Sequence, residues 1–402
     1  MDFNDTPEEA KFREEARRWL AEHAPAHENY EARDHMAASK AWQMEKYRAG
    51  WACLRWPKEY GCRGASAIEA SIFAEEEAKY DVPTGPFIIG QGMAAPTLMA
   101  YATEEQKRQY LPKMASGEEI WCQLFSEPAG GSDLAALRTR AVKDGDDWVI
   151  NGQKIWTSGA HYSDYGILVT RSDPTVPKHK GLTYFFLSMK SPGVEVKPIK
   201  QISGESGFNE VYFTDVRIPD SQRLGEVGQG WTVALTTLMN ERAAIGGGGG
   251  GIGFDRAFEL AKTVKINGKP AIQSLAVREQ LADWYCKESG LEFTRARTQS
   301  ALSRGETPGP ENSIGKYVGA KKSQDVASFC IELLGMAGAS VDEYGGLFTQ
   351  GYLGAPGGRI AGGTDEVMLN IIAERVLGLP QDIRVDKGIP FNEIPTAATD
   401  KR

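Results

Sequence analysis

Hydrophobic positions change their spacing twice along the chain. From Thr6 to about Gly117 they recur at helical intervals. Phe12, Ala16, Trp19 and Leu20 fall at i, i+4, i+7 and i+8, one face of a first helix that Pro25 stops. Thr103, followed by Glu104, Glu105 and then Gln106, predicts a capped helix start. From about Glu119 to Glu226 the pattern is that of strands. Runs at 166–170, 182–189, 194–198 and 210–216 are separated by Pro, Gly and Asp turns, without helical spacing between them. They predict an antiparallel sheet or barrel. Trp148-Val149-Ile150 and Lys154-Ile155-Trp156 flank Asn151-Gly152, which predicts a two-residue hairpin there. From about Trp231 to Leu379 long helical patterns return. Residues 272–303 contain no Pro and a single Gly, enough for one very long helix or two. A last helix over 367–377 stops at Gly378-Leu379-Pro380. The expected fold is α+β: an N-terminal helical domain over 1–118, a central antiparallel β domain over 119–229, a C-terminal helical bundle over 230–380, and a polar, loosely ordered tail or arm over 381–402.

Composition narrows the function. The 402 residues carry 46 Lys+Arg against 54 Asp+Glu, a formal charge of −8. That balance, without a Lys/Arg run, argues against a nucleic-acid partner. No stretch approaches about 18 consecutive apolar residues, so no membrane span is expected. The charged segment from Met1 to Glu15 does not read as a signal peptide. Cys53, Cys62, Cys122, Cys286 and Cys330 form no CxxC pair, as expected of packing thiols in a reduced, cytoplasmic protein.

Several motifs carry little. The run Gly246–Gly251 contains GxGxxG but follows no strand, so it reads as a helix break. Tyr317-x-x-x-Lys321 and Ser313-x-x-Lys316 imitate catalytic pairs without their context and read as solvated helix residues. His23 and His27 stand at i, i+4 with Pro25 between them and no third metal ligand near.

Four segments offer chemistry. Gln123-Leu-Phe-Ser-Glu-Pro-Ala-Gly-Gly-Ser-Asp133 is a loop able to present amides and hydroxyls to a phosphate or a polar ring, or simply a Gly-Ser turn. Trp156-Thr157-Ser158-Gly159 pairs a flat apolar surface with two hydroxyls, although a Trp in a β core has the same signature. On a helix from Trp231, the residues Trp231, Leu235, Leu238, Met239 and Ile245 make an apolar stripe, with Arg242 near its middle and Glu241 at its edge. Charges on such a face are paired or functional. Finally, Gly362-Gly363-Thr364-Asp365-Glu366 opens the last helix, with Thr364 as a candidate N-cap.

Together these segments resemble the acyl-CoA dehydrogenase family of flavoproteins. Trp56-Pro-Lys-Glu-Tyr-Gly61, Gln106-Lys-Arg-Gln-Tyr-Leu-Pro112, Ser126-Glu-Pro-Ala-Gly-Gly-Ser-Asp133, Asn151-Gly152 with Trp156-Thr-Ser158, Phe208-Asn-Glu-Val211 with Asp215-Val-Arg-Ile-Pro219, Gly230-Trp231 with Glu241-Arg242, and Gly363-Thr364 occur in the family's order. The resemblance implies FAD as cofactor, an acyl-CoA substrate, a tetramer and an electron-transfer-flavoprotein-type acceptor. It implies removal of an α-proton by a carboxylate while the β-hydrogen leaves as hydride to flavin N5. By the same resemblance, Gln123, Phe125, Ser126 and Ser132 match flavin- and pyrophosphate-contacting positions. Trp156, Thr157 and Ser158 match the segment beside the flavin ring, Thr364 and Glu366 the final FAD-contacting turn, and Arg242 an arginine beside the active site.

Two departures stand out. Many members carry the catalytic Glu immediately before the Gly-Thr pair, where this chain has Gly362. A branch that includes isovaleryl- and long-chain-type members takes it from the residue before the Arg, here Glu241. The FAD contacts usually supplied by a neighbouring subunit are also altered: Lys262 or Lys265 replaces an Arg, and Glu332 replaces a Gln. The sequence therefore leaves three readings: an active dehydrogenase, for which branched, alicyclic or steroid-type acyl groups are candidates; a subunit of a heterotetramer that depends on its partner for FAD binding or catalysis; or an acyl-CoA oxidase.

Overall fold

The computed structural model describes residues 5–28, 34–245, 252–303, 309–340 and 346–395. The six-glycine run lies outside them, as does the side chain of Arg242. The described residues divide into two compact units. The first comprises those up to Lys200, Ser206–Asn240 and those from Arg384; the second comprises Gln201–Glu205 and Glu241–Ile383.

The first unit begins with helices α1 (Pro7–His23), α2 (His35–Arg48), α3 (Ala67–Glu77), α4 (Ala95–Tyr101) and α5 (Glu104–Ser116). Capping boxes at Thr6/Glu9, Ser66/Glu69 and Thr103/Gln106 start α1, α3 and α5, each satisfying two backbone donors that the helix leaves open. Ala16 and Leu20 are fully buried, and Trp19 stacks on Trp42 in an aromatic cluster with Trp51 and Phe73, as the first-helix spacing predicts.

Strands β1 (Trp121–Leu124), β2 (Arg140–Asp144), β3 (Asp147–Ser158), β4 (Tyr165–Arg171), β5 (Leu182–Ser188), β6 (Val194–Ile199), β7 (Phe208–Pro219) and β8 (Arg223–Leu224) form one sheet. Its order is β6-β7-β3-β2-β4-β5-β8, with β1 added beside β4. The sheet is mostly antiparallel, as expected, but β1 runs parallel to β4 and β2 meets β4 in parallel. Both faces are covered, and the period of two sorts the side chains. Ile167, Val169, Tyr184 and Phe186 join a core with the helices, while Leu168, Phe185 and Leu187 join the core on the other face.

The Asn151-Gly152 hairpin is not formed. β3 runs straight through this pair, and the β2–β3 turn falls at Gly145-Asp146 instead, where Gly145 has φ +61°. The pairing of β3 with β7 shifts register between Ile150 and Gly152, so the dipeptide marks a β-bulge. Asn151 donates to Asp215 Oδ1 at 2.9 Å and accepts from the Asp215 amide at 3.0 Å, matching a left-handed Asp215 at φ +49°. A β-carbon at Gly152 would meet Thr139 Cα at 2.7 Å, which explains the glycine.

Helix α6 (Gly230–Ile245) carries the chain from the first unit into the second. The apolar stripe expected on it is buried only in part: Trp231 and Leu238 pack against the core shared with the sheet. Leu235 and Met239 are 40% and 55% exposed, whereas Val233, Ala234, Thr237 and Glu241 are buried. Apolar spacing alone could not see that Thr237 turns inward to bond Thr97 and Tyr184 at 2.8 and 2.9 Å.

The second unit continues with α7 (Phe254–Thr263), the hairpin of β9 (Lys265–Ile266) and β10 (Lys269–Pro270), α8 (Leu275–Ser303), α9 (Asn312–Leu334), α10 (Leu347–Gly358) and α11 (Asp365–Ile371). The 29-residue α8 resolves the choice of one long helix or two. Here an Asn-Gly pair does turn a hairpin: Asn267 and Gly268 have φ +51° and +78°. Trp284, Val326, Cys330 and Phe348 form the core.

The described part of the tail is not loose. Phe391 donates its amide to Val176 O at 3.0 Å, and its ring lies 3.6 Å from the Arg171 guanidinium. Asp386 pairs with Lys178 at 2.5 Å. Among the described residues no helix is long and apolar enough to cross a membrane.

Candidate active site

In the first unit the loop that follows β1 is held from beneath. Glu127, 7% exposed, accepts the amides of Arg138 and Thr139 at 2.6 and 2.9 Å, and pairs with Lys154 Nζ at 2.9 Å. Lys154 is fully buried and also donates to Phe125 O at 2.9 Å. Burial opposes both charges. It lowers the Lys154 pKa, while at Glu127 the ammonium and the donated hydrogen bonds outweigh it and hold the carboxyl below its usual range. Arg171, 4% exposed and pushed down to about 10 by burial, bonds the carbonyls of Ala135, Leu137 and Lys178. Lys178 reaches both oxygens of Asp133 at 2.8 and 2.7 Å. The loop between these anchors exposes Gly131 and Ser132, and nothing stands within 4 Å of a β-carbon built at Gly131. Phe125 is buried edge-on to Tyr184, and Gln123 and Ser126 are half-buried.

The loop meets the end of β3 through the Ile155 amide, which donates to Ser126 O at 2.9 Å. Trp156 is not a core residue: it is 56% exposed, sits at φ +60°, and packs edge-on against Phe208 at 6.0 Å. A bulky residue in the left-handed region is costly and is retained where the surroundings impose it. Thr157 beside it is 1% exposed, and its Oγ1 has no hydrogen-bond partner among the described residues. Ser158 is half-buried. Asn209, fully buried, fixes this segment by donating to Thr157 O at 2.9 Å. An exposed aromatic face beside an unsatisfied buried hydroxyl suits a flat ring with polar edges, so these residues fit a flavin.

In the second unit Glu241 is 9% exposed. A β-carbon built at Gly362 would lie 3.6 Å from Glu241 Oε1. Gly362 and Gly363 have φ +66° and +99°, a sharp turn after α10. Thr364 caps α11 by accepting the Val367 amide at 3.3 Å, as the sequence predicts, and Glu366 lies exposed in the first turn. Asp365 is buried and pairs with Arg359 at 2.5 Å. Lys262 is exposed and paired with Glu259, while Lys265 and Glu332 are exposed. Ser313 and Lys316 are not solvated: Ser313 is 2% exposed, and Lys316 Nζ donates to Gly363 O at 2.5 Å.

Sequence reasoning passed over the roles of Glu127 and Lys154, and it set Lys316 aside with Ser313 as a solvated helix residue. A signal existed for Lys154, a cation on the inward phase of Trp148 and Ile150, which requires a buried partner. The spacing of Ser313 and Lys316 gave no sign of the bond to Gly363 O.

The sequence signatures described as "Acyl-CoA dehydrogenase, N-terminal domain", "middle domain" and "C-terminal domain" match residues 6–118, 122–216 and 228–377. The chain belongs to the acyl-CoA dehydrogenase family. It is 35% identical over 396 residues to acyl-CoA dehydrogenase IpdE1 of Mycobacterium tuberculosis (strain ATCC 25618 / H37Rv), covering 93% of this chain and 98% of that one. It is 38% identical over 331 residues to acyl-CoA dehydrogenase FadE34 of the same organism, covering 81% of this chain but only 44% of FadE34. Among solved structures, the "Tcur3481-Tcur3483 steroid ACAD" superposes with a TM-score of 0.79 at 30% identity, covering 95% of this chain and 100% of that one. The ChsE4-ChsE5 complex from Mycobacterium tuberculosis superposes with a TM-score of 0.78 at 32% identity, again over 95% and 100%.

Proposed function

We propose that the protein catalyses α,β-dehydrogenation of an acyl-CoA thioester to the trans-2-enoyl-CoA, with Glu241 as the base that removes the α-proton. The observation that carries this reading is the 3.6 Å approach of Glu241 Oε1 to the β-carbon direction of Gly362. A carboxylate from α6 thus reaches the place from which many family members supply theirs. Its burial keeps bulk water away from the oxygen that must take a weakly acidic carbon-bound proton.

FAD, when bound, accepts the β-hydrogen with its electron pair. In the first unit Gln123, Phe125, Ser126, Ser132, Trp156, Thr157 and Ser158 are the proposed contacts, with the Thr157 hydroxyl free to bond the ring and the Glu127–Lys154 pair holding the loop. Thr364 and Glu366 are proposed as further FAD contacts, and Arg242 as active-site support. An electron-transfer-flavoprotein-type acceptor in the cytoplasm is the proposed partner. Glu241→Gln keeps the shape and loses the base. Flavin-containing protein with turnover reduced at least about 100-fold is expected. Near-normal turnover sinks the assignment.

The missing side chain at 362 leaves room beside the base, which favours branched, alicyclic or steroid-type acyl groups. The resemblance to a structure named as a steroid ACAD agrees with this. Comparing kcat/KM for butanoyl-, octanoyl-, cyclohexanecarboxyl- and steroid-side-chain-CoA tests it, and a clear preference for butanoyl-CoA defeats it.

A second reading makes the chain one subunit of a heterotetramer. It is favoured by the exposed carboxylate of Glu332, by the turn at Asn267-Gly268 that carries lysines where the family has an arginine, and by the likeness to a two-protein complex. Flavin content and solution mass of the chain purified alone separate the two readings. A fully flavinated homotetramer excludes the second.

A further inference from the structure

Lys262, Lys287 and Lys322 of the second unit pair with carboxylates, whereas Lys316 bonds a backbone oxygen. It lies on α9, is half-buried, and places its Nζ 2.5 Å from the carbonyl of Gly363. Burial pulls its pKa down, with the Asp365 carboxylate working against that pull and Arg359 adding to it. A lysine on a helix can usually extend its charge into water. This one turns inward onto a backbone oxygen.

The oxygen it holds belongs to the turn beside Glu241. Gly362 and Gly363 are both left-handed, at φ +66° and +99°. Two consecutive glycines have little conformational preference of their own, so contacts from outside must fix such a turn. The flanking backbone is tied at the Asp365 amide, which donates to Arg359 O at 3.2 Å, and at Thr364, which caps α11. Beside these ties, the bond from Lys316 fixes the peptide between Gly363 and Thr364. Arg359 is itself bonded to Gln324 on the same α9 at 3.0 Å, so α9 grips both ends of the turn.

We propose that Lys316 is a positioning residue for the reaction: it clamps Gly363 O and thereby sets the backbone wall at Gly362-Gly363 that faces the Glu241 carboxylate. The inference rests on the reading of Glu241 as the base. An unclamped turn lets the wall drift, and a misplacement of about 1 Å near reacting atoms costs on the order of 100-fold in rate. The effect falls on the chemical step, because the turn faces the base.

Lys316→Met, which keeps the length and removes the donor, tests this beside Lys316→Arg, Glu241→Gln and the Lys316→Met/Glu241→Gln double variant. The readouts are kcat, KM, thermal midpoint and flavin content. Lys316→Met is expected to lower kcat between about 10- and 100-fold, with KM within threefold and flavin content retained. Lys316→Arg, which keeps a donor, should recover most of the loss. In the Glu241→Gln background the Lys316→Met change should alter the residual rate less than twofold, because the base it serves is gone. A kcat within twofold of wild type in Lys316→Met, beside a large loss in Glu241→Gln, overturns the clamp and leaves Glu241 standing. A full independent loss in the double variant, or a loss mirrored by the thermal midpoint and not rescued by Arg, also overturns it. Near-normal turnover of Glu241→Gln overturns the underlying reading instead. If Lys316→Met does not fold, Lys316→Gln supplies the same comparison.

Discussion

At the scale of single residues, one of the left-handed non-glycine positions, Trp156, falls among the proposed flavin contacts. Trp156 combines a left-handed φ of +60° with 56% exposure, so it contributes strain and little burial to the fold. Replacing it by glycine removes the strain. Trp156→Gly should therefore leave the cofactor-free protein as stable as wild type or more stable by about 1 kcal/mol, while flavin retention falls. Thermal melting of the flavin-stripped protein and flavin release on dilution give the two halves of this expectation. A large loss of apo stability would mean that the ring serves the fold. Lys154 is the converse case, a charge whose purpose is structural. Lys154→Met leaves the Glu127 carboxylate buried without its partner and should destabilise the protein by about 3–5 kcal/mol. Glu127→Gln in the same chain should recover part of that, measured by denaturant unfolding.

Elements follow from sequence where a local rule decides them and escape it where long-range contacts do. The capping boxes at Thr6 and Thr103 and the strand runs were legible because each needs only its own residues. The Asn151-Gly152 pair was misread because a bulge and a hairpin ask for the same dipeptide, and only the partner strand at Asp215 distinguishes them. The face of α6 was only partly readable because a threonine bonded across the core counts as polar in a pattern. In the site, the sequence paired Gly362 with Glu241 as the proposed base, and the structure sets Glu241 Oε1 3.6 Å from a β-carbon built at Gly362, whereas the bond from Lys316 to Gly363 O exists only once α9 is placed. The α1–α3 pair shows how such cross-element contacts govern pH response. Glu76 on α3 is 2% exposed and faces Arg13 and Arg17 on α1 at 3.0 Å, with Lys79 from the turn just after α3. Burial opposes its charge, but these three cations outweigh it and bring its pKa to about 2. A carboxyl whose pKa is depressed on folding stabilises above its unfolded value of about 4.5 and loses that stabilisation as pH falls toward 2. Glu76→Gln should therefore cost about 2–3 kcal/mol at pH 7 and progressively less between pH 4.5 and 2. A pH-independent difference in thermal midpoint would contradict it.

At the scale of the whole molecule, the chain leaves the first unit along α6, builds the second, and returns to the first at Arg384. The returning segment is thus part of the β domain's packing, which decides between the arm and the loose tail that the polar composition of 381–402 left open. Its contacts are themselves polar: the Phe391 and Asn392 amides donate to Val176 O and Pro174 O at 3.0 Å, and Asp386 pairs with Lys178. Phe391 supplies the ring beneath Arg171 at 3.6 Å, with Arg138 5.7 Å from the same ring. Arg171 and Lys178 are the residues that anchor Ala135, Leu137 and Asp133, the far side of the proposed flavin loop. A chain ending at Ile383 removes Asp386 and Phe391 together and leaves Lys178, 4% exposed, with Asp133 as its remaining ion-pair partner among the described residues. That truncation should lower stability by about 2–4 kcal/mol, as expected for losing a half-buried aromatic contact and one arm of a buried charge network. It should also speed flavin loss, because the loop loses support on one side only. Phe391→Ala alone should reproduce the stability loss in part, and Asp386→Asn the flavin loss in part. Flavin retention unchanged in the truncated chain, at a temperature where it remains folded, would show that the returning segment stabilises the sheet without supporting the loop.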